Sequence, residues 1–218
     1  MATVIILFGP QGSGKGTQAE YLVEALCVPR ISPGDIFRLE KEEGTDLGML
    51  AASYTNRGEL VPSDVTNRMI EKRLGENDCA KGFILDGYPR NELQADALDV
   101  MVDTLEHPIN HVFEIWISDK EAVKRISGRR VCACGVSYHL TYKPPKQEGI
   151  CDKCGQPLVM RDDDKPDAIK RRLEIYHNTT EPLFDRYKSR GIFMRINGEQ
   201  SIAKVKEDIF FVLKDRRI

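Results

Sequence analysis

Short apolar runs alternate with amphipathic stretches along most of the chain. The runs lie at 3–8, 28–31, 82–86, 111–117 and 192–196, and β-branched and aromatic residues, which favour strands, are frequent in them. Between the runs, apolar residues recur every three or four positions, the period of a helix with one buried face. This alternation predicts a five-stranded, doubly wound parallel sheet flanked by helices. The predicted helices are 15–26, 63–74, 91–105, 119–128, two pieces between 166 and 187, and 202–213.

Two stretches break this rhythm. Residues 32–61 are polar and glycine-containing, and residues 128–164 combine short β-like pieces with paired prolines and flanking arginines. Both leave from the carboxyl side of predicted strands, where open parallel sheets bind their ligands. We therefore expect two inserted lobes that close over a crevice, and a core made of 1–31, 62–127 and 165–218.

Length and charge restrict the class of protein. The 218 residues suffice for one core with small insertions, and a formal net charge of -2 calls for neither nucleic acid nor an anionic membrane. The first apolar run has only six residues and leads into a charged helix, which is typical of neither a signal peptide nor a membrane span. We expect a cytoplasmic monomer.

A glycine-rich loop, GPQGSGKGT at 9–17, joins the first strand to the first helix. Free N–H groups and the positive end of a helix dipole meet at such a loop, so it predicts a phosphate site, with Lys15 on the outer phosphates. Gly16 replaces the usual Ser or Thr, and the hydroxyl follows at Thr17. The alternative is a plain turn with one exposed lysine. Three loop glycines suit a positive φ and a close backbone approach: Gly9, Gly12 and Gly14.

Asp86 ends the run 82–86 and is predicted to face the same crevice as Lys15. A carboxylate beside a phosphate loop is unfavourable unless a cation lies between them. The placement therefore predicts Mg²⁺, held partly through water. The alternative is that Asp86 caps a helix or a turn.

Arginines flank the predicted crevice, next to glycines, strand ends and the edges of the insertions. A guanidinium group can donate two parallel hydrogen bonds to two oxygens of one phosphate. This pattern of arginines therefore favours phosphoryl transfer. No side chain is placed as a covalent nucleophile or general base, and an acceptor that is itself a phosphate requires none. The six arginines are Arg38, Arg90, Arg125, Arg129, Arg161 and Arg172.

Six segments between residues 9 and 164, in a fixed order, resemble adenylate kinases of the long-lid bacterial type, and the resemblance extends over the chain. They are GPQGSGKGTQ, ISPGDIFR, GELVP, GFILDGYPRNELQ, SGRRVC and MRDDD. The resemblance implies a nucleoside monophosphate kinase fold of the P-loop class, an AMP-binding lobe at 32–61 and a lid at 128–164. It also implies the reaction ATP + AMP ⇌ 2 ADP with Mg²⁺, in adenine nucleotide homeostasis.

The resemblance assigns roles by position. It implies that ATP contacts Gly12, Ser13, Gly14, Lys15, Gly16, Thr17, Arg125, Arg129, Tyr138 and the backbone at Gln200. On the AMP side it implies Arg38, Leu60, Val61, Gly87, Arg90 and Gln94, together with Arg161 and Arg172, which grip the transferred group. The implied catalytic set is Lys15, Arg90, Arg129, Arg161 and Arg172.

Base selectivity is less constrained. The Gln94 amide favours AMP over a pyrimidine nucleotide, whereas Pro33 stands where the family usually has a Thr that helps to recognise the base. A UMP or CMP kinase therefore remains an alternative. A zinc ribbon that binds nucleic acid, with the loop as an NTP switch, is a third reading, but the second insertion lacks interleaved aromatics and a net basic face.

Four of the six cysteines fall within 23 positions, which in a reducing compartment favours a metal over disulfides. The family's zinc lids carry two Cys-x2-Cys pairs, but the first pair here is Cys-x-Cys. We expect a structural tetrahedral zinc with no open ligand position. His139 as a substitute ligand, a disulfide pair and reduced thiols are the alternatives. The cluster is Cys132, Cys134, Cys151 and Cys154, and Cys27 and Cys79 are predicted to be buried thiols.

Overall fold

A five-stranded sheet forms the centre of the computed structural model, which describes residues 2–215. Its strand order is β2-β3-β1-β4-β7, and every pairing is parallel, as the sequence predicts. A separate antiparallel pair, β5 and β6, lies in the second insertion. The strands are β1 (Thr3–Phe8), β2 (Arg30–Ile31), β3 (Gly82–Asp86), β4 (Ile109–Trp116), β5 (Arg129–Val131), β6 (Ser137–His139) and β7 (Phe193–Asn197).

Helices cover both faces of the central sheet. The larger core cluster joins one face to α4, α5 and α8, and the other face packs on α1 and α9. Among residues 2–215, no helix combines the length and the apolar character needed to cross a bilayer. The α-helices are α1 (Lys15–Leu26), α2 (Pro33–Glu42), α3 (Asp46–Thr55), α4 (Ser63–Leu74), α5 (Glu92–Thr104), α6 (Asp119–Ser127), α7 (Pro166–Ile175), α8 (Phe184–Ser189) and α9 (Ile202–Asp215).

The central strand β1 is apolar at nearly every position because both of its faces are buried. Ile6 and Phe8 point into the larger cluster, whereas Ile5 and Leu7 point into the cluster beneath α1 and α9. These four side chains are at most 1% exposed. The run therefore lacks the apolar–polar alternation of a strand with one wet face.

Element boundaries differ from the prediction at three strands, of which β7 is shifted by one residue, to Phe193–Asn197. The pairing of β2 begins only at Arg30, because Pro29 has no N–H and contributes just its carbonyl, which accepts a hydrogen bond from the Ile84 N–H. Strand β4 begins at Ile109, two residues earlier than predicted. The prediction that Cys27 is buried is wrong: the residue is exposed and ends α1 in a left-handed conformation, with φ 54°. Cys79 is buried, as predicted.

Each stretch that breaks the α/β rhythm has a small core of its own. Helices α2 and α3 pack together around Phe37, Ala51 and Val61. The second insertion packs around Cys132, Tyr138 and Cys151. These clusters are too small to stabilise independent domains, so both insertions depend on the central sheet that carries them.

Candidate active site

A cleft of about 1620 Å³ opens at the carboxyl ends of the central strands, between the two insertions. It contains the glycine loop, the six predicted arginines and Asp86 in one continuous space. Val61, Gln94, Cys151 and Cys154 do not line it. The predicted site residues that do are Gly12, Ser13, Gly14, Lys15, Gly16, Thr17, Arg38, Leu60, Asp86, Gly87, Arg90, Arg125, Arg129, Cys132, Cys134, Tyr138, His139, Arg161, Arg172 and Gln200.

The glycine loop has the backbone that the sequence predicts. Gly9, Gly12 and Gly14 have φ of 142°, 77° and 96°, which residues with a Cβ rarely adopt. Gly14 occupies the N-cap position of α1 and supplies no side-chain cap. The first N–H groups of α1 therefore remain available to an anion at the positive end of the helix dipole.

Lys15 folds back into this loop. Its Nζ donates hydrogen bonds to the carbonyl oxygens of Gly9 at 2.6 Å and Pro10 at 2.9 Å. Burial lowers the pKa of Lys15 to about 7, although the charge of Asp86 acts in the opposite direction. The ammonium form thus lacks a full counter-charge in the free protein, and a bound phosphate would supply it.

Asp86 has a protein cation beside it that sequence reasoning missed. The Nε and Nη2 of Arg30 donate to Asp86 Oδ2 at 2.9 and 2.6 Å, and Nη2 also lies 3.0 Å from Asp35 Oδ2. The sequence argument for Mg²⁺ assumed a carboxylate without a cation, whereas the Arg30 guanidinium already offsets the charge of Asp86. Magnesium at Asp86 stays a prediction, and the carboxylate oxygen not used by Arg30, Oδ1, is the one that suits a water-mediated contact.

At the root of the second insertion, three predicted arginines are held by two carboxylates. Arg161 donates to both oxygens of Asp163, at 2.8 and 2.5 Å, and Arg172 Nη1 donates to Asp163 Oδ2 at 2.9 Å. Arg129 makes a two-pronged contact with Asp164, whose side chain is fully buried. We call Arg129, Arg161 and Arg172 the arginine cluster. Its carboxylates occupy the guanidinium forks in the geometry that a phosphate would use.

Charges in the arginine cluster shift one another. Burial raises the pKa of Asp163, but Arg172 and Arg161 outweigh it and hold the pKa well below the usual range. Burial lowers the pKa of Arg172 to about 9. Sequence reasoning gave Asp163 and Asp164 no role in holding the arginines. The signal that could have identified them was the run of acids directly after Arg161 in MRDDD.

Arg90 is fixed by its main chain as well as by its side chain. Its N–H donates to Gln94 Oε1 at 2.8 Å, and its Nε donates to the Gly87 carbonyl at 2.7 Å. Gln94 is 2% exposed, and this contact occupies its side-chain oxygen. The expectation that Gln94 reads a base therefore stays a prediction. Arg38 on α2 contacts the cleft from the other side and is paired with Asp35.

An aromatic group lies next to Arg125 at the opposite end of the cleft. The guanidinium carbon of Arg125 is 5.3 Å from the centre of the Tyr142 ring, and the imidazole of His139 is 4.5 Å from that ring. Glu121 holds both Arg125 Nε, at 2.8 Å, and the Tyr142 hydroxyl, at 2.9 Å. Sequence reasoning missed Tyr142 and Glu121. Adjacent cationic and aromatic groups can accept the face of a nucleotide base.

The four clustered cysteines have their sulfur atoms within 4.8 Å of one another. The Sγ atoms of Cys132 and Cys154 are 3.3 Å apart, and those of Cys134 and Cys151 are 3.6 Å apart. A tetrahedral zinc with Zn–S bonds of about 2.3 Å requires S···S distances of about 3.8 Å, so the donor set fits zinc after a small adjustment of the side chains. His139 instead accepts hydrogen bonds from backbone N–H groups through Nδ1.

The environment of Cys151 favours a thiolate, which is the form that binds metal. Burial raises the pKa of this thiol, but a hydrogen bond from the Tyr138 hydroxyl and backbone N–H groups outweigh it and lower the pKa to about 6. The Tyr138 hydroxyl also accepts from the Asp152 N–H at 2.8 Å. Tyr138 therefore connects the cleft to the cysteine cluster.

Comparison with known proteins agrees with this geometry. A family model described as adenylate kinase matches residues 7–192. An adenylate kinase of Methanosarcina barkeri is 50% identical over 210 residues, which cover 96% of this chain and 98% of that protein. Adenylate kinases of Caldanaerobacter subterraneus and Oceanobacillus iheyensis are 47% and 43% identical, over 98% and 97% of this chain and 97% and 99% of their own lengths.

Proposed function

The chain belongs to the adenylate kinase family, and from this premise we propose that its cleft transfers a phosphoryl group reversibly from MgATP to AMP, which gives two ADP. One observation carries the proposal: a single cleft contains a phosphate-binding loop and six arginines, enough cationic groups for two nucleotides. An oxygen of the AMP phosphate attacks the γ-phosphorus of ATP. The new P–O bond forms as the bond to the β-phosphate oxygen breaks.

On the ATP side, the N–H groups of 12–17 bind the β- and γ-phosphates, and Lys15 adds a charge that phosphate binding stabilises. Arg125 and Tyr142 offer a stacking surface for the adenine, and the backbone at Gln200 borders the same end of the cleft. When bound, Mg²⁺ offsets negative charge on the β- and γ-phosphates. The group that would hold it, through water, is Asp86.

On the AMP side, Arg38 and Arg90 bind the phosphate of the acceptor. Leu60, Val61, Gly87 and Gln94 are assigned to the AMP-binding lobe and its border by the family pattern. Arg38 pairs with Asp35 in the free protein, so an incoming phosphate takes over a cation that already has the required position. This preorganisation lowers the reorganisation that accompanies transfer.

The arginine cluster acts on the moving phosphoryl group. Its guanidinium forks exchange the carboxylates of Asp163 and Asp164 for equatorial phosphate oxygens, where charge must be stabilised in the transition state. Because the acceptor phosphate is ionised at neutral pH, the reaction needs no side chain as general base.

We assign residues 32–61 to an AMP-binding lobe and 128–164 to a lid, both carried by a core of 1–31, 62–127 and 165–218. Closure of the lid excludes water, which would otherwise compete with AMP for the γ-phosphate. The four cysteines hold a structural zinc in the lid, supported by their mutual distances. A cytoplasmic monomer that acts on ATP, AMP and ADP, without a nucleic-acid or membrane partner, fits the nearly balanced charge.

A nucleotide panel tests the function. With MgATP as donor, the rate of ADP formation is measured with AMP, UMP, CMP and GMP as acceptors. The proposal expects AMP to exceed each of the others in kcat/KM by at least about tenfold, since a base-specific hydrogen bond discriminates by this much or more. A preference for UMP or CMP would identify a different nucleoside monophosphate kinase.

A further inference from the structure

A π-helical turn, Tyr176–Thr180, interrupts the helical segment between α7 and α8. Its widened backbone is marked by the Glu181 N–H, which donates to the Tyr176 carbonyl five residues earlier. Single turns of this kind recur at functional sites, because they turn side chains away from the regular helical face. Tyr176 and Thr180 both line the cleft.

The start of this turn is anchored to the sheet. The Tyr176 hydroxyl donates to Glu114 Oε1 at 3.3 Å, and Arg195 Nε donates to the other oxygen at 2.6 Å. Glu114 is fully buried on β4, so these two partners satisfy a carboxylate that water does not reach. The turn therefore has a fixed position relative to the central strands.

The end of the turn reaches Arg90 from the other half of the chain. Thr180 is 4% exposed, and its Oγ1 donates to the Arg90 carbonyl at 2.9 Å across 90 sequence positions. The Arg90 N–H is bound by Gln94 Oε1. Both main-chain polar atoms of Arg90 are thus held by side chains, one from α5 and one from the π-helical turn.

We propose that Thr180 is a positioning residue for phosphoryl transfer, which holds the main chain of Arg90 so that its guanidinium meets the acceptor phosphate. The inference rests on the proposed role of Arg90. The guanidinium lies several bonds from the main chain, so a small rotation of the Arg90 carbonyl moves it far. Such a movement is large enough to weaken a charge-assisted hydrogen bond to the phosphate. The anchored turn prevents that rotation, and it also follows directly on the helix that carries Arg172.

The neighbouring residue supplies a matched control. Thr179 Oγ1 donates to the Ile175 carbonyl at 2.8 Å, within its own helical segment, and Thr179 does not line the cleft. Thr180→Val and Thr179→Val each delete one hydroxyl and keep the shape of the side chain. Only Thr180→Val leaves the Arg90 carbonyl without its donor.

The test measures AMP affinity by calorimetry and steady-state kinetics in the full chain. Thr180→Val is expected to raise the Kd and KM for AMP about tenfold, the effect of losing one buried hydrogen bond, and to leave the KM for ATP within about twofold. Thr180→Ser, which keeps the hydroxyl, is expected to restore AMP binding, and Thr179→Val to match the parent protein. The affinity for adenosine, which has no phosphate, should not change. Wild-type AMP affinity in Thr180→Val overturns the inference.

A double-mutant cycle separates an action through Arg90 from a direct contact with substrate. In an Arg90→Ala background, Thr180→Val should weaken AMP binding no further, whereas an undiminished effect there overturns the inference. If Arg90→Ala itself binds AMP normally, the proposed role of Arg90 fails, and that result is distinguishable from failure at Thr180. Should Thr180→Val not fold, Thr180→Ala is compared with Thr179→Ala under the same criteria.

Discussion

Under the proposed function, the glycine loop and the arginine cluster both bind phosphate, but the loop uses backbone groups and the cluster uses side chains. The loop offers backbone N–H groups whose directions follow from three glycines with positive φ and from the start of α1. The arginine cluster offers long side chains that would be flexible alone, and Asp163 and Asp164 hold them in place. The loop is therefore preorganised by local backbone geometry, whereas the cluster is preorganised by ion pairs that substrate must replace.

This difference has an energetic consequence. An anion that binds the loop meets backbone N–H groups that no carboxylate occupies. Only the Lys15 ammonium has protein partners there, and these are uncharged carbonyl oxygens. An anion that binds the cluster must displace carboxylates, so part of its binding energy is offset. Under the proposed function, strong contacts then form only when the donor and acceptor phosphates meet at the cluster, which favours the transition state over either substrate alone.

The largest effect is expected at the loop. Lys15→Met should lower kcat by about three orders of magnitude, because the developing charge on the outer phosphates loses the cation that the loop supplies. The fold should persist, since Lys15 contributes to neither core cluster of the sheet and the loop backbone is set by its glycines. The matched control is Lys120→Met, a change at an exposed position of α6, and it should turn over normally. Steady-state kinetics and circular dichroism check both variants, and normal turnover of Lys15→Met would contradict the loop assignment.

A smaller effect is expected in the arginine cluster. Arg172→Ala should lower kcat by about two orders of magnitude, since the neighbouring guanidinium groups of the cluster compensate in part. Its sequence neighbour Arg171 provides the control, because that side chain is 56% exposed and only 3.8 Å from Glu174. Arg171→Ala should keep turnover within about twofold. Equal losses in the two variants would show that helix α7 is perturbed as a whole.

The two sites also differ in how well they could be predicted from sequence. The loop was recognised in full, including its positive φ angles, because a strand, three glycines and a helix start lie next to one another along the chain. The six arginines were placed in the cleft from their position at strand ends and insertion edges. Ligands of open parallel sheets bind beyond the carboxyl ends of the strands. This rule allowed residues far apart in the sequence to be predicted at one site.

The partners of the charged groups were not predicted. Arg30 reaches Asp86 from a neighbouring strand, 56 positions away, and Thr180 reaches Arg90 across 90 positions. Such pairs depend on how the helices and strands pack against one another. The apolar pattern predicts the order of these elements along the chain, but it does not predict their positions to within an ångström. The exact start of β2 was missed for a local reason, the absent N–H of Pro29, which the sequence does contain.

Removal of the Asp163 carboxylate tests whether ion pairs hold the arginine cluster in place. Asp163→Asn leaves Arg161 and Arg172 without their shared anion and should lower the free energy of unfolding at pH 7 by about 3 kcal/mol. Because the folded pKa of Asp163 is depressed, its contribution is present above the unfolded pKa of about 3.9 and is lost as pH falls below that value. Urea unfolding from pH 3 to 7 should show a shallower pH dependence in the variant than in the parent.

The control for this change is Asp103→Asn, at an exposed position of α5, which should unfold as the parent does at every pH. If Asp163→Asn has the stability and the pH profile of Asp103→Asn, the carboxylate does not hold the cluster. In that case the arginines would be positioned by their own helix and by the insertion, and the distinction between the two phosphate sites would lose its basis.

The smallest effect on turnover is expected from metal removal. Arg129 and Arg161 lie in or beside the segment that contains the four cysteines, whereas the glycine loop lies on the central sheet. Loss of the proposed zinc should therefore lower the stability of that segment and spare the loop. A zinc-selective chelator with excess Mg²⁺ should lower the melting temperature by several degrees, because bound metal contributes folding free energy. Turnover at 25 °C should fall less than about twofold, since the cluster's ion pairs persist below the melting temperature.

Added Zn²⁺ should restore the melting temperature, and Cys154→Ser should show the low melting temperature without chelator. An unchanged melting temperature would mean that the insertion is held by its own packing around Tyr138, without metal.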